Sequence, residues 1–207
     1  MVNESNDRLV WIDCEMTGLD PMVEELVEVA VVITDYDLQI LDPGFQIVIK
    51  PSDAALENMG DFVRQMHITS GLIEEIPFGH SRIDAQTQVL EYITRFVPQS
   101  GFAPLAGNTI GTDRVFIAQE MPMVHEHLHY RNIDVSTIKE LSKRWFPKSY
   151  HHSPEKNGGH RALADILESI RELQYYRSAV FVESPGMATE QLKVVNDAIS
   201  KQWASRL

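Results

Sequence analysis

Apolar residues in this sequence gather into short runs separated by polar segments that contain glycine or proline. The runs Leu9 to Cys14, Leu26 to Thr34 and Leu38 to Lys50 are rich in β-branched and aromatic residues, which favour strands. Short polar links join them, and Tyr36-Asp37 can turn between the second and the third. Strands joined by such short links pair antiparallel, so we expect three antiparallel strands at the start of the fold.

The rest of the chain alternates helical periodicity with short apolar runs. Apolar residues recur three or four positions apart in six segments, which predicts helices over 61–76, 83–97, 112–121, 136–146, 161–178 and 189–205. Residues 102–107 and 130–135 predict two further strands, and 148–159 a polar loop. We expect Ser136 to cap its helix. Strands followed by strands mixed with helices indicate an α/β protein with a mixed sheet.

The last predicted helix follows a break at Ser184-Pro185-Gly186. Its apolar residues fall on one stripe, which predicts a terminal helix that packs on the domain: Leu192, Val195, Ile199 and Trp203.

Composition limits the class of protein. The 207 residues are 43% hydrophobic, which suits one globular domain. No apolar run is long enough to span a bilayer, and no leader sequence opens the chain. The single cysteine, Cys14, excludes an internal disulfide and fits a cytoplasmic protein. The net charge of −12 argues against a broad basic surface for long nucleic acids, but not against a site made positive by metal ions.

Two acids interrupt the first apolar run, in WIDCEMTGLD. Because a strand alternates its faces, Asp13 and Glu15 point the same way, about 6.6 Å apart at ~3.3 Å per residue. Cys14 points to the opposite face and is most simply a core residue. Two like charges in a partly buried place are costly without a positive partner. The alternative is a strand end that opens into solvent.

Three more polar residues stand at predicted junctions between elements. Asp113 opens a helix after a strand, and Asp165 lies in the first turns of another helix. Acids there also have the ordinary role of complementing the helix dipole. His160 precedes Asp165 by five residues, roughly 140° around a helix, so the two share a site only if His160 precedes the helix. Gly158-Gly159 gives the loop that freedom, although His160 alone could be a surface histidine.

The order of these residues resembles a known family. D13-x-E15, D113 and H160-x4-D165 are similar to the DEDDh group of 3′→5′ exonucleases, and four longer stretches closely resemble oligoribonucleases: WIDCEMTGL, PLAGNTIGTDR, HYRNIDVSTIKEL and HRALADILESIRELQYYR. The likeness spans residues 8 to about 180. It implies a ribonuclease H-like fold, a five-stranded mixed sheet flanked by helices, with an exonuclease domain over 1–182 and a C-terminal extension over 183–207.

The resemblance also implies a chemistry. Four acids would hold two Mg²⁺ or Mn²⁺ ions per site, and hard carboxylate oxygens suit these metals: Asp13, Glu15, Asp113 and Asp165. His160 would act as the general base. The reaction would release nucleoside 5′-monophosphates from the 3′ end of very short RNA.

Further positions match substrate-binding residues of oligoribonucleases. Leu19 and His67 match residues that wedge and stack the bases. Three positions match those that cap a 5′ phosphate, which implies a preference for 5′-phosphorylated dinucleotides: Thr109, Arg131 and Ser136. Tyr130 matches a residue that reaches the partner's site in a homodimer. Loop packing for Leu19 and Thr109, and a core position for Tyr130, are the alternatives.

Other functions share part of this pattern. A DNA-proofreading exonuclease would use the same five catalytic residues without the phosphate cap around Arg131. A non-catalytic binding module on the same fold would have little use for four buried acids and His160. The HEHLH stretch could bind zinc only if His125 and His129 shared a helix face.

Overall fold

The computed structural model describes residues 7–155 and 159–204, and its centre is a five-stranded mixed sheet. The strands lie in the order β3-β2-β1-β4-β5. Pairing is antiparallel between β1 and β2 and between β2 and β3, and parallel between β1 and β4 and between β4 and β5. Their bounds are β1 Leu9–Met16, β2 Leu26–Thr34, β3 Phe45–Val48, β4 Pro104–Gly107 and β5 His129–Asp134.

Helices cover both faces of this sheet, which confirms the predicted architecture. In the described residues they are α1 Asp53–Asn58, α2 Asp61–Thr69, α3 Leu72–Glu75, α4 Arg82–Phe96, α5 Gly111–Glu120, α6 Pro122–His127, α7 Val135–Trp145, α8 Pro147–His151, α9 Ala162–Val180 and α10 Thr189–Trp203. A single 3₁₀ turn, Ile76–Phe78, follows α3.

The alternation of β1 divides the core into two layers. Ile12 and Cys14 face the side covered by α4, α5 and α6, where Val89 and Phe116 complete a large apolar cluster. Trp11 faces the opposite side, against α9 and α7. Asp13 and Glu15 share the Trp11 face, as their spacing predicts, so both acids point toward the start of α9.

Two predicted elements are shorter than the sequence indicates. The strand predicted over 38–50 forms only at Phe45–Val48, because the chain turns at Gly44 with φ +99° while the Asp42 carboxylate accepts a hydrogen bond from the Gly44 amide. The helix predicted over 61–76 breaks at Gly71, whose φ of +78° lies outside the helical range. Apolar periodicity continues through both breaks and therefore conceals them.

Three further predictions were wrong. Asp134, not Ser136, caps α7, since its carboxylate accepts a hydrogen bond from the Ser136 amide and the helix begins at Val135. The predicted loop over 148–159 contains most of α8, and its residues 156–158 lie outside the described part. The helix predicted over 189–205 ends at Trp203, with residue 205 outside the described part, and it buries no side chain. Its apolar stripe is exposed, so it does not pack as we expected.

No helix in the described residues is long and apolar enough to cross a membrane.

A matched pair of isoleucines tests the difference in burial between the last two helices, α9 and α10. Ile170 in α9 is 2% exposed and Ile199 in α10 is 53% exposed. We expect Ile170→Ala to lower the free energy of unfolding by ~2–5 kcal/mol, since it leaves a cavity. Ile199→Ala should change it by less than ~0.5 kcal/mol. Urea unfolding monitored by circular dichroism measures both, and equal losses would mean that α10 packs on a surface in solution.

Candidate active site

The fold brings three predicted residues together at the carboxyl end of β1. Ligand atoms of Glu15, His160 and Asp165 all lie within 4.8 Å of one another. Glu15 comes from the central strand, Asp165 from the first turn of α9, and His160 from the segment before that helix. The requirement that His160 precede the helix is therefore met, and the three groups are close enough to share one ion.

Asp13 and Asp113 line the cleft beside this cluster. The cleft has a volume of about 370 Å³, and Asp165 and Glu15 also form part of its wall. Asp113 is 6% exposed, and its Oδ1 accepts a hydrogen bond of 3.0 Å from the Cys14 amide, which ties α5 to β1. A larger hollow of about 820 Å³ borders the C-terminal linker, but it contains none of the predicted residues.

Burial makes ionisation unfavourable for two of these acids, although the positive charge of Arg161 opposes the shift at Glu15. Burial first, then the neighbouring charges of Asp165, Glu28 and Asp113, raise the pKa of Glu15 to about 8. Burial likewise raises the pKa of Asp113 to about 6. The same burial raises the pKa of the Cys14 thiol, which fits a core residue rather than a nucleophile.

The donor set fits a hard divalent cation. Oxygen ligands dominate, the carboxylates repel one another, and a metal would remove that repulsion. The zinc alternative at HEHLH is not met, because α6 ends at His127 and His129 belongs to β5. There the His129 Nδ1 accepts a hydrogen bond from the Arg131 amide, so it does not share a helix face with His125.

Comparisons with known proteins agree with this geometry. The exonuclease family (RNase_T) matches residues 10–173. A protein of Leifsonia xyli subsp. xyli named Oligoribonuclease is 65% identical over 203 residues, which cover 98% of each chain. The chain belongs to the oligoribonuclease family. A relative of the same name from Streptomyces griseus is 53% identical and covers 94% of this chain and 97% of its own.

Solved structures of lower sequence identity share the fold of this oligoribonuclease family member. An exonuclease I from Methylocaldum szegediense superposes with a TM-score of 0.61 at 17% identity, over 84% of this chain and 41% of that one. E. coli exonuclease I in complex with a dA16 oligonucleotide gives 0.63 at 13% identity, over 83% and 41%. The chain therefore spans about two fifths of these exonuclease I chains.

The two residues expected to contact bases occupy different environments. Leu19 is 77% exposed and lines the cleft, so loop packing does not account for it. His67 is fully buried, with Nε2 2.8 Å from the Met16 carbonyl oxygen and Nδ1 3.9 Å from Glu15 Oε2. Burial lowers the pKa of His67, which favours the neutral ring. In this structure the His67 ring supports the β1 end, and stacking on a base would require the ring to become exposed.

Two of the three predicted cap residues meet at the end of the parallel strands. The Thr109 amide donates to Ser136 Oγ at 2.9 Å and to Asp134 Oδ1 at 3.0 Å, and the two hydroxyl oxygens are 3.1 Å apart. Thr109 has a φ of 53°, a left-handed conformation that non-glycine residues rarely adopt. Asn108 Oδ1 accepts a hydrogen bond from the Ser136 hydroxyl. These contacts fix two hydroxyls beside each other.

The remaining two residues lie on the outer strand of the sheet. Tyr130 is 74% exposed, which excludes the core position that we considered. The Arg131 guanidinium lies 5.4 Å from the centre of the Tyr130 ring. Both side chains therefore belong to an accessible edge at β5.

Sequence reasoning missed one group of residues beside the cluster. Glu28 of β2 is fully buried and forms an ion pair with Arg161, which also pairs with Glu75 of α3. The signal was present, because Glu28 interrupts the apolar run of β2 as Asp13 and Glu15 interrupt β1.

The raised pKa of Glu15 predicts how stability depends on pH without metal. Between its ordinary value of 4.5 and about 8, Glu15 keeps its proton in the folded chain and loses it in the unfolded chain. The folded state therefore binds more protons in that window, and stability falls as pH rises through it. We expect the Tm in chelator to fall by several degrees from pH 6 to pH 8.5, and Mn²⁺ to restore it.

The Glu15→Gln variant is the matched control. It cannot ionise at this position, so its Tm should fall less over the same pH range and respond less to Mn²⁺. Scanning fluorimetry at both pH values compares the two proteins. An unchanged pH dependence in the variant would contradict the assignment of the titration to Glu15.

Proposed function

We propose that this protein is a 3′→5′ exoribonuclease that hydrolyses very short RNA, dinucleotides above all, to nucleoside 5′-monophosphates. The observation that carries the proposal is the convergence of Glu15, Asp165 and His160 within 4.8 Å, beside Asp13 and Asp113 in one cleft. Membership of the oligoribonuclease family supports RNA as the substrate.

The resemblance to the DEDDh exonucleases and the positions of these residues support the following roles. Asp13, Glu15, Asp113 and Asp165 would hold two Mg²⁺ or Mn²⁺ ions per site. When bound, such ions supply stabilisation of the charge on the reacting phosphate and lower the pKa of water. His160 is exposed, borders the carboxylates and takes the proton from the attacking water as general base.

The phosphate cap, formed by Thr109, Ser136 and Arg131, would decide the length of the RNA that the site accepts. The hydroxyls of Thr109 and Ser136 are already held together. The Thr109 hydroxyl can donate to an oxygen of a terminal phosphate, and the Ser136 hydroxyl could do so by turning from Asn108 Oδ1. Arg131 would add a bidentate contact. Thr109 lines the same cleft as the acids, so a terminal phosphate held beside it would limit the length of RNA that the cleft accepts. The net charge of −12 also disfavours a longer polyanion.

We also infer a homodimer in which Tyr130 reaches the partner's cleft. Tyr130 is exposed on the outer strand and lies beside Arg131, so a two-fold pair can place it next to a second site.

The role of His160 as general base is tested by removing its imidazole ring. We expect His160→Ala to lower turnover at least ~100-fold, the usual scale of general acid–base catalysis, while Mn²⁺ binding stays nearly intact. Calorimetry with Mn²⁺ and single-turnover kinetics on a 5′-phosphorylated dinucleotide measure the two effects. Asp13→Ala is the contrast, since it should lose both. A variant at His160 that loses metal binding as Asp13→Ala does would refute the role of general base.

Subunit mixing tests the shared site. Tyr130→Ala and Asp13→Ala homodimers should both be impaired, but a hybrid keeps one site with neither defect if Tyr130 acts across the interface. Random mixing makes half of the dimers hybrids, so activity should recover to about a quarter of the wild-type value. No recovery, with exchange of subunits verified by mass spectrometry, would place Tyr130 in its own chain's site.

A ladder of labelled RNAs from two to ten nucleotides tests the cap. We expect 5′-phosphorylated dinucleotides to be cleaved fastest, with a steep fall by five to seven nucleotides. Arg131→Ala should flatten this preference and cost most on dinucleotides, where the phosphate contact is the largest share of binding. Single-turnover rates that stay level or rise with length would indicate a general exonuclease, and a faster matched DNA ladder would indicate proofreading.

A further inference from the structure

The segment that carries His160 is attached to the sheet through its next residue. Arg161 donates to Glu28 from Nε and Nη2, at 3.1 and 2.8 Å from Oε1, and to Glu75 from Nη1 and Nη2, at 2.7 and 3.1 Å. The amide of Ala162 donates to Glu28 Oε2 at 2.9 Å. One buried carboxylate therefore holds both the side chain and the backbone at the start of α9.

Glu28 lies directly opposite Glu15 in the pairing of β1 with β2. Residues opposite each other in adjacent strands share a face of the sheet, so Glu28 sits beside the cluster without belonging to it. Glu28 Oε1 also accepts a hydrogen bond of 2.7 Å from the side-chain Nε2 of Gln46. Glu28, Arg161 and Glu75, which we call the Arg161 triad, thus connect β2, α3 and the start of α9.

The backbone at His160 needs such support. His160 has a φ of 48°, in the left-handed region that is strained for a non-glycine residue and persists only where the surroundings enforce it. The residue before it is an exposed glycine, Gly159, which adds no restraint of its own. The restraint comes from Arg161, whose planar fork makes paired hydrogen bonds that a lysine ammonium cannot reproduce.

We propose that Arg161, held between Glu28 and Glu75, is a positioning residue that keeps His160 against the carboxylate cluster. This inference rests on the proposed function, because it deepens the role of His160 as general base. Arg161 is bound on both sides by protein carboxylates, so it acts through His160 rather than on the substrate.

A double-mutant cycle separates this role from a purely structural one. Arg161→Lys keeps the charge but loses the fork, and we expect turnover to fall about 10- to 100-fold, with KM for a dinucleotide and Mn²⁺ affinity nearly unchanged. In a His160→Ala background the same change should have no further effect, because the group that it positions is gone. Arg177→Lys is the matched control and should keep wild-type turnover, because Arg177 lies near the far end of α9 and pairs with the exposed Asp37.

Two results would overturn the proposal. Either wild-type turnover in Arg161→Lys, or losses that multiply in the double variant, would show that Arg161 does not act through His160. If Arg161→Lys fails to fold, Glu75→Ala removes only the exposed side of the triad and enters the same cycle, with the neighbouring Glu74→Ala as its control. We then expect Glu75→Ala to lower turnover by less than Arg161→Lys would, and to have no effect in the His160→Ala background. Losses that multiply in the double variant would refute the proposal.

Amide hydrogen exchange gives a readout that does not depend on activity. In metal-free protein, Arg161→Lys should speed exchange at the Ala162 amide at least 10-fold, while the core of α9 keeps its protection. Unchanged exchange would refute the triad as a restraint. If wild-type protein cleaves no short RNA, the proposed function fails, yet the exchange result still decides whether Arg161 restrains this segment.

Discussion

Repulsion between carboxylates at one end of the central strand is the constraint on which the site depends. Glu15 of β1 lies opposite Glu28 of β2 and within reach of Asp165, in surroundings that exclude most water. Arg161 compensates Glu28, but its second partner is Glu75 rather than a member of the cluster. Glu15 is buried among these negative charges, and we propose that a divalent cation would offset their repulsion.

The fold places these carboxylates on strands and helices that are fixed by packing. β1 is the middle strand, paired on both sides, and its apolar residues anchor it to helices on either face. The first turn of α5 supplies Asp113, which the Cys14 amide holds, and the first turn of α9 supplies Asp165. Residues far apart in sequence thus meet because two helices begin at the same end of the sheet.

The sequence was sufficient for the five strands and the longer helices, because apolar runs and apolar periodicity are local signals, and for the family, because its motifs are continuous stretches. It missed the short helices α1, α6 and α8. It failed where tertiary contacts decide. The burial of His67 beside Glu15 was not predicted, since only the fold reveals which face of α2 is covered. Asp134 caps α7 because its carboxylate also holds the Thr109 amide, a contact across 25 residues. The apolar stripe of α10 resembles that of a packed helix, yet it is exposed.

The most direct test of the account is anomalous diffraction from crystals grown with Mn²⁺ and a non-hydrolysable 5′-phosphorylated dinucleotide. The account predicts two anomalous peaks in each cleft, bounded by Asp13, Glu15 and Asp165, with His160 beside them and not bonded to either ion. Absence of peaks at these carboxylates, in crystals that show the dinucleotide bound, would contradict it.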